Sequence, residues 1–137
     1  MNLFIDSNIF ISAFLTPGGT PAQALKLAAL LDFQQVTGQY NLREMWNVFE
    51  RKFPSRVLNF QLFMQKFIDN GLKVFNAPEV ELVLESEIRD AKDRPVLRAA
   101  VLSGAEIFLT GDRDFLDAGI KKPKIISAAE FIEMFSA

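Results

Sequence analysis

The sequence predicts an α/β fold, namely a three-layer α/β/α sandwich around a central, mostly parallel sheet of four to five strands. Short apolar runs alternate along the chain with longer segments of helical periodicity, and this alternation is typical of βαβ units. Half of the 137 residues are hydrophobic and 23% are charged, which is the balance of a globular protein. The length suits one domain, which we place at residues 1–137.

Apolar runs bounded by turn residues predict the strands, and caps, periodicity and glycine stops predict the helices. The predicted strands are residues 3–5, 33–37, 72–75, 106–110 and 124–126. The first predicted helix begins at about residue 9. Further helices are predicted at residues 20–31, 41–52, 56–69 and 93–103, and the last follows residue 127. Residues 80–88 fit either a helix or extended chain. Three helix starts have capping-box spacing, at Thr20–Gln23, Asn41–Glu44 and Ser127–Glu130.

The composition excludes several kinds of chemistry. The chain has no cysteine and no histidine, so it contains no disulfide, no cysteine nucleophile, no Ser-His-Asp triad and no Cys- or His-ligated metal. Any chemistry must use carboxylates, hydroxyls, Lys, Arg, Tyr or the backbone. The net charge of −2 also argues against a general polyanion binder, which would need a basic excess.

The first residues do not resemble a secretory signal, because a basic start is missing and Asp6 interrupts the apolar run. The longest uncharged stretch contains Asn8, Pro17 and Pro21 and would not span a bilayer. We therefore expect a cytoplasmic protein with no membrane partner.

Four carboxylates are predicted to meet at one edge of the sheet. In a parallel sheet the carboxyl ends of the strands share an edge, and ligands bind there. Asp6 and Asp112 each follow a predicted strand, Glu44 lies early in a helix that follows a strand, and Asp93 begins the helix before the fourth strand. Four such charges would repel one another, and a hard divalent cation such as Mg²⁺ or Mn²⁺ would neutralise them. The pattern therefore predicts a metal site made of oxygen ligands.

Each of these acids also has an ordinary structural interpretation. Asp6 and Asp93 are typical helix N-caps, and Glu44 is at the third position of the capping box that begins at Asn41. Asp112 and Asp114 lie in a turn, where aspartate is common. The joint occurrence of the acids at one predicted edge favours the metal site.

Four motifs in this order resemble the PIN domain family of nucleases. The first is Leu3-Phe4-Ile5-Asp6-Ser7-Asn8, and the second is Glu44 within residues 41–45. The third is residues 89–100, where two acids three positions apart precede a helix rich in small residues. The fourth and most specific is residues 104–116, in which an apolar strand is followed by Thr-Gly-Asp, a basic residue and a further Asp. The resemblance covers essentially the whole chain.

The resemblance implies a role for each matching residue. It assigns catalysis and metal coordination to Asp6, Glu44, Asp93 and Asp112. Asp114 would be a further metal neighbour, Asn8 and Thr110 would support the ligands, Arg94 and Arg113 could contact RNA, and Asp90 would stay outside the metal's ligands. Arg94 departs from the family pattern, in which a small polar residue is common at this position.

The implied function is a Mg²⁺- or Mn²⁺-dependent, single-strand-specific RNA endonuclease that uses metal-activated water. Small members of this family are commonly toxins of bacterial and archaeal toxin–antitoxin systems, so the resemblance also implies an antitoxin partner and a homodimer. Two alternatives stay open. One is a non-catalytic module of the same fold that binds RNA or protein, and the other is a phosphomonoesterase with Asp6 as its nucleophile, although Asn8 stands where such enzymes usually have a second Asp.

The helix over residues 57–68 has an unusually wide apolar face. Phe60, Phe63, Met64 and Phe67 form a core stripe, and further apolar residues lie away from it. The face predicts either a dimer or antitoxin surface or a deeply buried helix. Arg43, Arg51, Lys52 and Arg56 cluster nearby; they could steer RNA, but a solvated surface is the simpler interpretation.

Overall fold

The computed structural model describes residues 1–136, which form five strands and seven α-helices. The strands are β1 (Asn2–Ile5), β2 (Gln34–Gly38), β3 (Lys73–Phe75), β4 (Ile107–Leu109) and β5 (Lys124–Ile126). The helices are α1 (Ser7–Leu15), α2 (Thr20–Leu30), α3 (Gln39–Lys52), α4 (Val57–Asp69), α5 (Arg94–Leu102), α6 (Arg113–Leu116) and α7 (Ala128–Phe135). Short 3₁₀ helices occupy Pro54–Arg56, Val83–Glu87 and Ala91–Asp93.

The strands form one sheet in the order β3-β2-β1-β4-β5, and every pair is parallel. β1 is the central strand, and Phe4 pairs in register with Val36 on one side and with Phe108 on the other. The strand order reverses at β1, which is where open parallel sheets place their ligand sites. The predicted α/β class is confirmed, and the sheet is entirely parallel.

Helices cover both faces of the sheet. Side chains alternate between the faces along a strand, so Leu3 and Ile5 pack into one core, with residues of α1, α2, α3, α4 and α7. Phe4 and Phe108 point to the other side, where they pack against α5 and against Phe115 of α6. This arrangement confirms the predicted three layers.

Two of the three predicted capping boxes are wrong. α2 begins after Gly19 and α3 begins after Gly38, and neither helix has a side-chain cap. The end of β2 leads directly into α3, so this helix starts two residues before Asn41 and leaves Glu44 in its second turn. The Ser127–Glu130 capping box is present as predicted.

The ambiguous segment at residues 80–88 contains the 3₁₀ helix Val83–Glu87 rather than a full helix or strand. Glu85 turns inward from it and forms a buried ion pair with Arg98 of α5, with Glu85 Oε1 2.7 Å from Arg98 Nη2. Arg98 also donates to the carbonyl of Pro78. These contacts hold the segment that leads to Asp93 against α5.

The outer face of α4 is exposed. Phe60 and Met64 are buried, whereas Leu58 and Leu62 are 64% and 57% exposed. A deeply buried α4 is therefore excluded. Within the described residues, none of the helices is long and apolar enough to span a membrane.

Candidate metal centre

A cleft of about 560 Å³ opens at the carboxyl edge of the sheet, next to the central strand. Its walls come from the end of β1, the first turns of α1, one face of α3 and the loops that carry two aspartates. The lining residues are Asp6, Ser7, Asn8, Ile11, Tyr40, Arg43, Glu44, Asn47, Val48, Arg51, Asp93 and Asp112. The four acids predicted to share this edge therefore line one cleft.

Asp6 is the most deeply held of these acids. It immediately follows β1, is 5% exposed, and has hydrogen bonds on both carboxylate oxygens. Oδ1 accepts from the backbone N–H of Ser7 at 2.8 Å and from Asn41 Nδ2 at 3.2 Å. Oδ2 accepts from the hydroxyl of Thr110 at 2.7 Å and from Asn8 Nδ2 at 3.4 Å. The carboxylate is thus fixed in orientation before any ligand arrives.

Burial is the main cause that raises the pKa of Asp6 to about 7, and the negative charges of Glu44 and Asp112 contribute in the same direction. The hydrogen bonds from Thr110 and Ser7 act in the opposite direction, because they stabilise the ionised form. A carboxylate held this way gains from a nearby positive charge. The electrostatics of the cleft therefore favour a cation beside Asp6.

Asp93, Asp112 and Asp114 form a second part of the acidic site. Each offers a carboxylate oxygen, and these oxygens lie within 4.8 Å of one another. Burial raises the pKa of Asp93 to about 6, and the charge of Asp112 is the next largest cause. Asp112 is held by two contacts: its backbone N–H donates to Thr110 Oγ1 at 3.0 Å, and its Oδ1 accepts from the N–H of Asp114 at 2.9 Å.

Glu44 faces the cleft from the second turn of α3. Its charge contributes to the raised pKa of Asp6, of Asp93 and of Tyr40, so it lies close enough to all three to act electrostatically. The alternative role in a capping box is excluded, because α3 starts at Gln39. The side chain is therefore available to the cleft.

The other structural interpretations have mixed outcomes. Asp6 does cap α1 through Ser7, and Asp112 caps α6 through Asp114. Asp93 stands at the N-cap position of α5, but its side chain makes no capping bond. Each cap uses one of the about four lone-pair sites of its carboxylate, so capping alone does not exclude ligand binding by Asp6 or Asp112.

This donor set fits a hard divalent cation. All of the candidate ligands are carboxylate oxygens, which Mg²⁺ and Mn²⁺ prefer, and burial together with mutual repulsion makes the metal-free site electrostatically unfavourable. Asn8 donates to Asp6, and its Oδ1 accepts from the N–H of Gly111 at 3.1 Å. Thr110 is buried behind Asp6 and links it to the loop of Asp112.

The cationic residues are placed differently from what the motifs alone indicate. The Nε of Arg94 donates to the carbonyl of Ile88 at 3.1 Å, and Arg113 pairs with the exposed Asp117 at 3.1 Å. Arg43 and Arg51 line the cleft itself. Their spacing of eight residues puts both on one face of α3. This spacing is the sequence signal from which a shared position at the cleft could have been predicted.

Two further residues near the acids were not predicted. Arg89 reaches Asp114 Oδ1 with its Nη2 at 2.9 Å, although its own side chain is largely exposed. Asn41 is buried and donates to Asp6. Its capping-box spacing to Glu44 pointed to a different role, and nothing in the local sequence distinguishes the two.

Comparison with known proteins gives one family and a set of structural neighbours. The sequence matches the family described as PIN domain over residues 2–114. One solved structure with a similar fold is VapBC2 from Rickettsia felis bound to a DNA fragment from its promoter; the TM-score is 0.69 at 14% identity, over 93% of this chain and 98% of that one. Another is VapC20 from Mycobacterium tuberculosis, a sarcin-ricin loop cleaving toxin, with a TM-score of 0.59 at 15% identity, over 87% of this chain and 96% of that one. No curated protein matches the sequence.

Proposed function

Because this chain belongs to the PIN domain family, we propose that it is a Mg²⁺- or Mn²⁺-dependent, single-strand-specific RNA endonuclease. The observation that carries the proposal is the cleft in which Asp6, Glu44, Asp93 and Asp112 come together from four separate parts of the chain. Such a concentration of acids destabilises a fold unless a cation or a substrate interaction compensates for it.

In this proposal the four acids would hold the metal, and Asp114 would be a further ligand or a neighbour of the site. When bound, the cation would polarise a phosphodiester and lower the pKa of the attacking water, which requires no histidine. The chain itself fixes the geometry: Thr110 and Asn8 orient Asp6, and Thr110 also holds the backbone of Asp112. Attack by water on phosphorus leaves 3′-hydroxyl and 5′-phosphate ends.

The RNA backbone would be held by cations at the cleft. Arg43 and Arg51 of α3 line it together with Glu44, so a strand that placed a phosphate near the acids would pass them. Arg94 and Arg113, which do not line the cleft, are further candidates for contact with RNA. α3 contributes half of the lining residues, and Arg43 and Arg51 are the two cations among all of them, which suits one extended strand better than a duplex.

We also propose that the chain is the toxin of a toxin–antitoxin pair, since its structural neighbours are VapC toxins of VapBC systems. A groove of about 690 Å³ runs between α3 and α4, and it is lined by Leu42, Trp46, Leu58 and Leu62 among others. Arg43 lines both this groove and the acidic cleft. An antitoxin segment with apolar side chains for the groove and an acidic group for Arg43 would cover α4 and obstruct the cleft.

The test of the nuclease proposal is cleavage of a mixed RNA pool by the purified protein in Mn²⁺, in Mg²⁺ and in EDTA. We expect cleavage that needs metal, leaves 3′-hydroxyl ends and is lost in Asp6→Asn. Asp32→Asn is the matched control, because Asp32 is exposed and does not line the cleft. Equal cleavage by the wild type and Asp6→Asn would indicate a contaminating ribonuclease.

Other outcomes identify the alternatives. A 2′,3′-cyclic phosphate product would contradict attack by water, and a trapped phospho-aspartate at Asp6 would support the phosphomonoesterase. A folded protein that binds neither Mn²⁺ nor Mg²⁺ would support the non-catalytic module.

The partner proposal has its own test. The protein encoded by the reading frame next to the gene of this chain, when co-expressed with the chain, should copurify with it and suppress cleavage. Leu62→Glu should weaken that complex and leave cleavage by the free protein unchanged. Lys66 does not line the groove, so Lys66→Glu is the control and should leave both the complex and the cleavage unchanged. Sedimentation of the isolated chain tests the predicted homodimer, and a dimer broken by Leu62→Glu would assign the groove to a second copy instead.

A further inference from the structure

Asn41 lies beneath the cleft, fully buried in the first turn of α3. Its side-chain nitrogen donates to Asp6 Oδ1 at 3.2 Å and to Ser7 Oγ at 2.8 Å. The hydroxyl of Ser7 in turn donates to the backbone carbonyl of Asn41 at 3.4 Å. A primary amide has two N–H hydrogens, so these bonds use its full donor capacity. The residue thus ties the start of α3 to the residue that follows β1.

The oxygen of the same side chain is left without a partner. Among residues 1–136, Asn41 Oδ1 is the one buried side-chain nitrogen or oxygen that makes no hydrogen bond. Burying an unpaired acceptor is unfavourable, yet turning the amide over would place this oxygen against the Asp6 carboxylate, which in its ionised, metal-binding form can only accept. The orientation therefore satisfies Asp6 at the expense of Asn41.

Gly38 provides the space for this arrangement. A Cβ atom on Gly38 would lie 2.7 Å from Asn41 Oδ1 and 3.3 Å from the Cβ of Ala99. The backbone of Gly38 has φ −93° and ψ 153°, an extended conformation that any residue adopts. The position therefore needs glycine because a side chain does not fit against Asn41, and not because of its backbone geometry.

Local stability alone would not select this pair of residues. Gly38 is the N-cap of α3 and makes no side-chain cap, where Ser, Asp or Asn would be stabilising. Asn41 leaves a buried acceptor unpaired in the same turn. Departures from local preference of this kind concentrate at functional sites.

We propose that Asn41 is a positioning residue for Asp6 and that Gly38 is glycine in order to admit it. The proposal rests on the proposed function in one respect, that Asp6 binds the metal. Asn41 restrains Oδ1 as Thr110 and Asn8 restrain Oδ2, so the position of both carboxylate oxygens relative to the cleft is fixed. Asn41 acts through Asp6 and does not itself line the cleft.

The experiment measures Mn²⁺ affinity by calorimetry on the RNA-free protein, with urea unfolding in EDTA as the measure of folding. Asn41→Leu fills similar space without a donor, and Gly38→Ala pushes against Asn41 without removing it. We expect each to weaken Mn²⁺ binding by about 10- to 100-fold, the usual effect of losing a group that orients a metal ligand. Asn59→Leu, on the exposed surface of α4, should leave the affinity unchanged.

A double variant separates positioning from general damage. In an Asn41→Ala background the amide oxygen is absent, so adding Gly38→Ala should cause no further loss of Mn²⁺ affinity. Equal losses from Gly38→Ala in both backgrounds, or wild-type affinity in folded Asn41→Leu and Gly38→Ala, would overturn the proposal. If the wild-type protein itself binds no Mn²⁺, the proposed function fails and this inference fails with it; tight binding by the wild type and by both variants removes this inference alone.

Discussion

The hydroxyl of Thr110 donates a 2.7 Å hydrogen bond to Oδ2 of Asp6 and accepts one of 3.0 Å from the backbone N–H of Asp112. Thr110 directly follows β4 and is completely buried. One side chain therefore sets the relative position of two predicted metal ligands that lie more than 100 residues apart in the sequence. The loop of Asp112 and the end of β1 cannot shift independently while this contact is intact.

Thr110→Val removes the hydroxyl and keeps the shape, so we expect Mn²⁺ affinity to fall by about 10- to 100-fold. Thr37→Val is the matched control. Thr37 is equally buried and its hydroxyl donates to the carbonyl of Ile5 at 2.9 Å, but it does not contact Asp6. Calorimetry should therefore show a loss in the first variant and little change in the second, while both lose some stability. Equal affinities in the two variants would contradict the role given to Thr110.

The metal-free protein should become less stable as the pH rises from about 4 to 7. Asp6 has an ordinary pKa of 3.8 and a folded-state pKa of about 7, so in this range the folded state holds a proton that the unfolded state has released. The free energy of unfolding then falls with rising pH, by an amount of the order of a few kcal/mol. Asp93, whose pKa is raised to about 6, acts in the same direction.

Urea unfolding in EDTA at pH 5 and at pH 7.5 measures this loss. Asp6→Asn cannot ionise, so it should lose less stability between the two pH values and be more stable than the wild type at pH 7.5, although we expect it to lose the proposed cleavage activity. Added Mg²⁺ should restore the wild type and have less effect on the variant. A wild type whose metal-free stability rises with pH would show that the burial of Asp6 does not control this behaviour.

Arg43→Ala and Arg51→Ala should weaken RNA binding and leave the chemical step intact. Each arginine lines the cleft without contacting the acids through a hydrogen bond that the structure shows. Loss of one phosphate contact should raise KM several-fold with kcat unchanged, and should reduce the salt dependence of log K by about 0.7 for a single strand. Lys66→Ala, away from the cleft, is the control. A fall in kcat with unchanged KM would place these residues in the chemistry instead.

Glu85→Gln should lower the free energy of unfolding by about 3 kcal/mol, because it leaves Arg98 buried without its counter-charge. The hydrogen bond from Arg98 lowers the pKa of Glu85, so the stabilisation is present above the ordinary pKa of 4.5 and is lost as the pH falls below it. Glu87→Gln, exposed in the same 3₁₀ helix, should have almost no effect. Urea unfolding at pH 7 compares the two, and similar values would mean that the ion pair contributes little.

The sequence was sufficient for residues whose position follows from a single strand. Asp6 and Asp112 come just after apolar runs, so a parallel sheet places both at one edge, and the structure does so. The predicted position of Asp93 depended on the path of the chain after β3, and the alternation of strands and helices in the sequence does not reveal that path. The buried pair of Glu85 and Arg98 anchors that path, and the two residues are 13 positions apart without any recognisable motif.

Asn41 shows why other parts of the site could not be predicted. Its spacing to Glu44 matches a capping box, and the interpretation was wrong because β2 continues directly into α3. Its actual contacts are with Asp6 and Ser7, more than 30 residues away, and they exist only once β1, α1 and α3 are packed together. Local sequence rules describe neighbours along the chain, whereas this contact depends on tertiary packing.

The two halves of the cleft differ in how readily they open. One half follows the central strand β1, and the other is carried by a short, peripheral 3₁₀ helix. Asp6 follows a strand that is paired on both sides, and its N–H donates to the carbonyl of Leu109, so we expect its amide hydrogen to exchange slowly. Asp93 ends the three-residue 3₁₀ helix Ala91–Asp93, which is held by a backbone bond from Asp93 to Asp90 and by the Asp90 side chain, and such a short unit can open by itself. Hydrogen exchange should therefore show two rates within one site. The four acids would be in place together only while the more readily opened half, which carries Asp93, is closed.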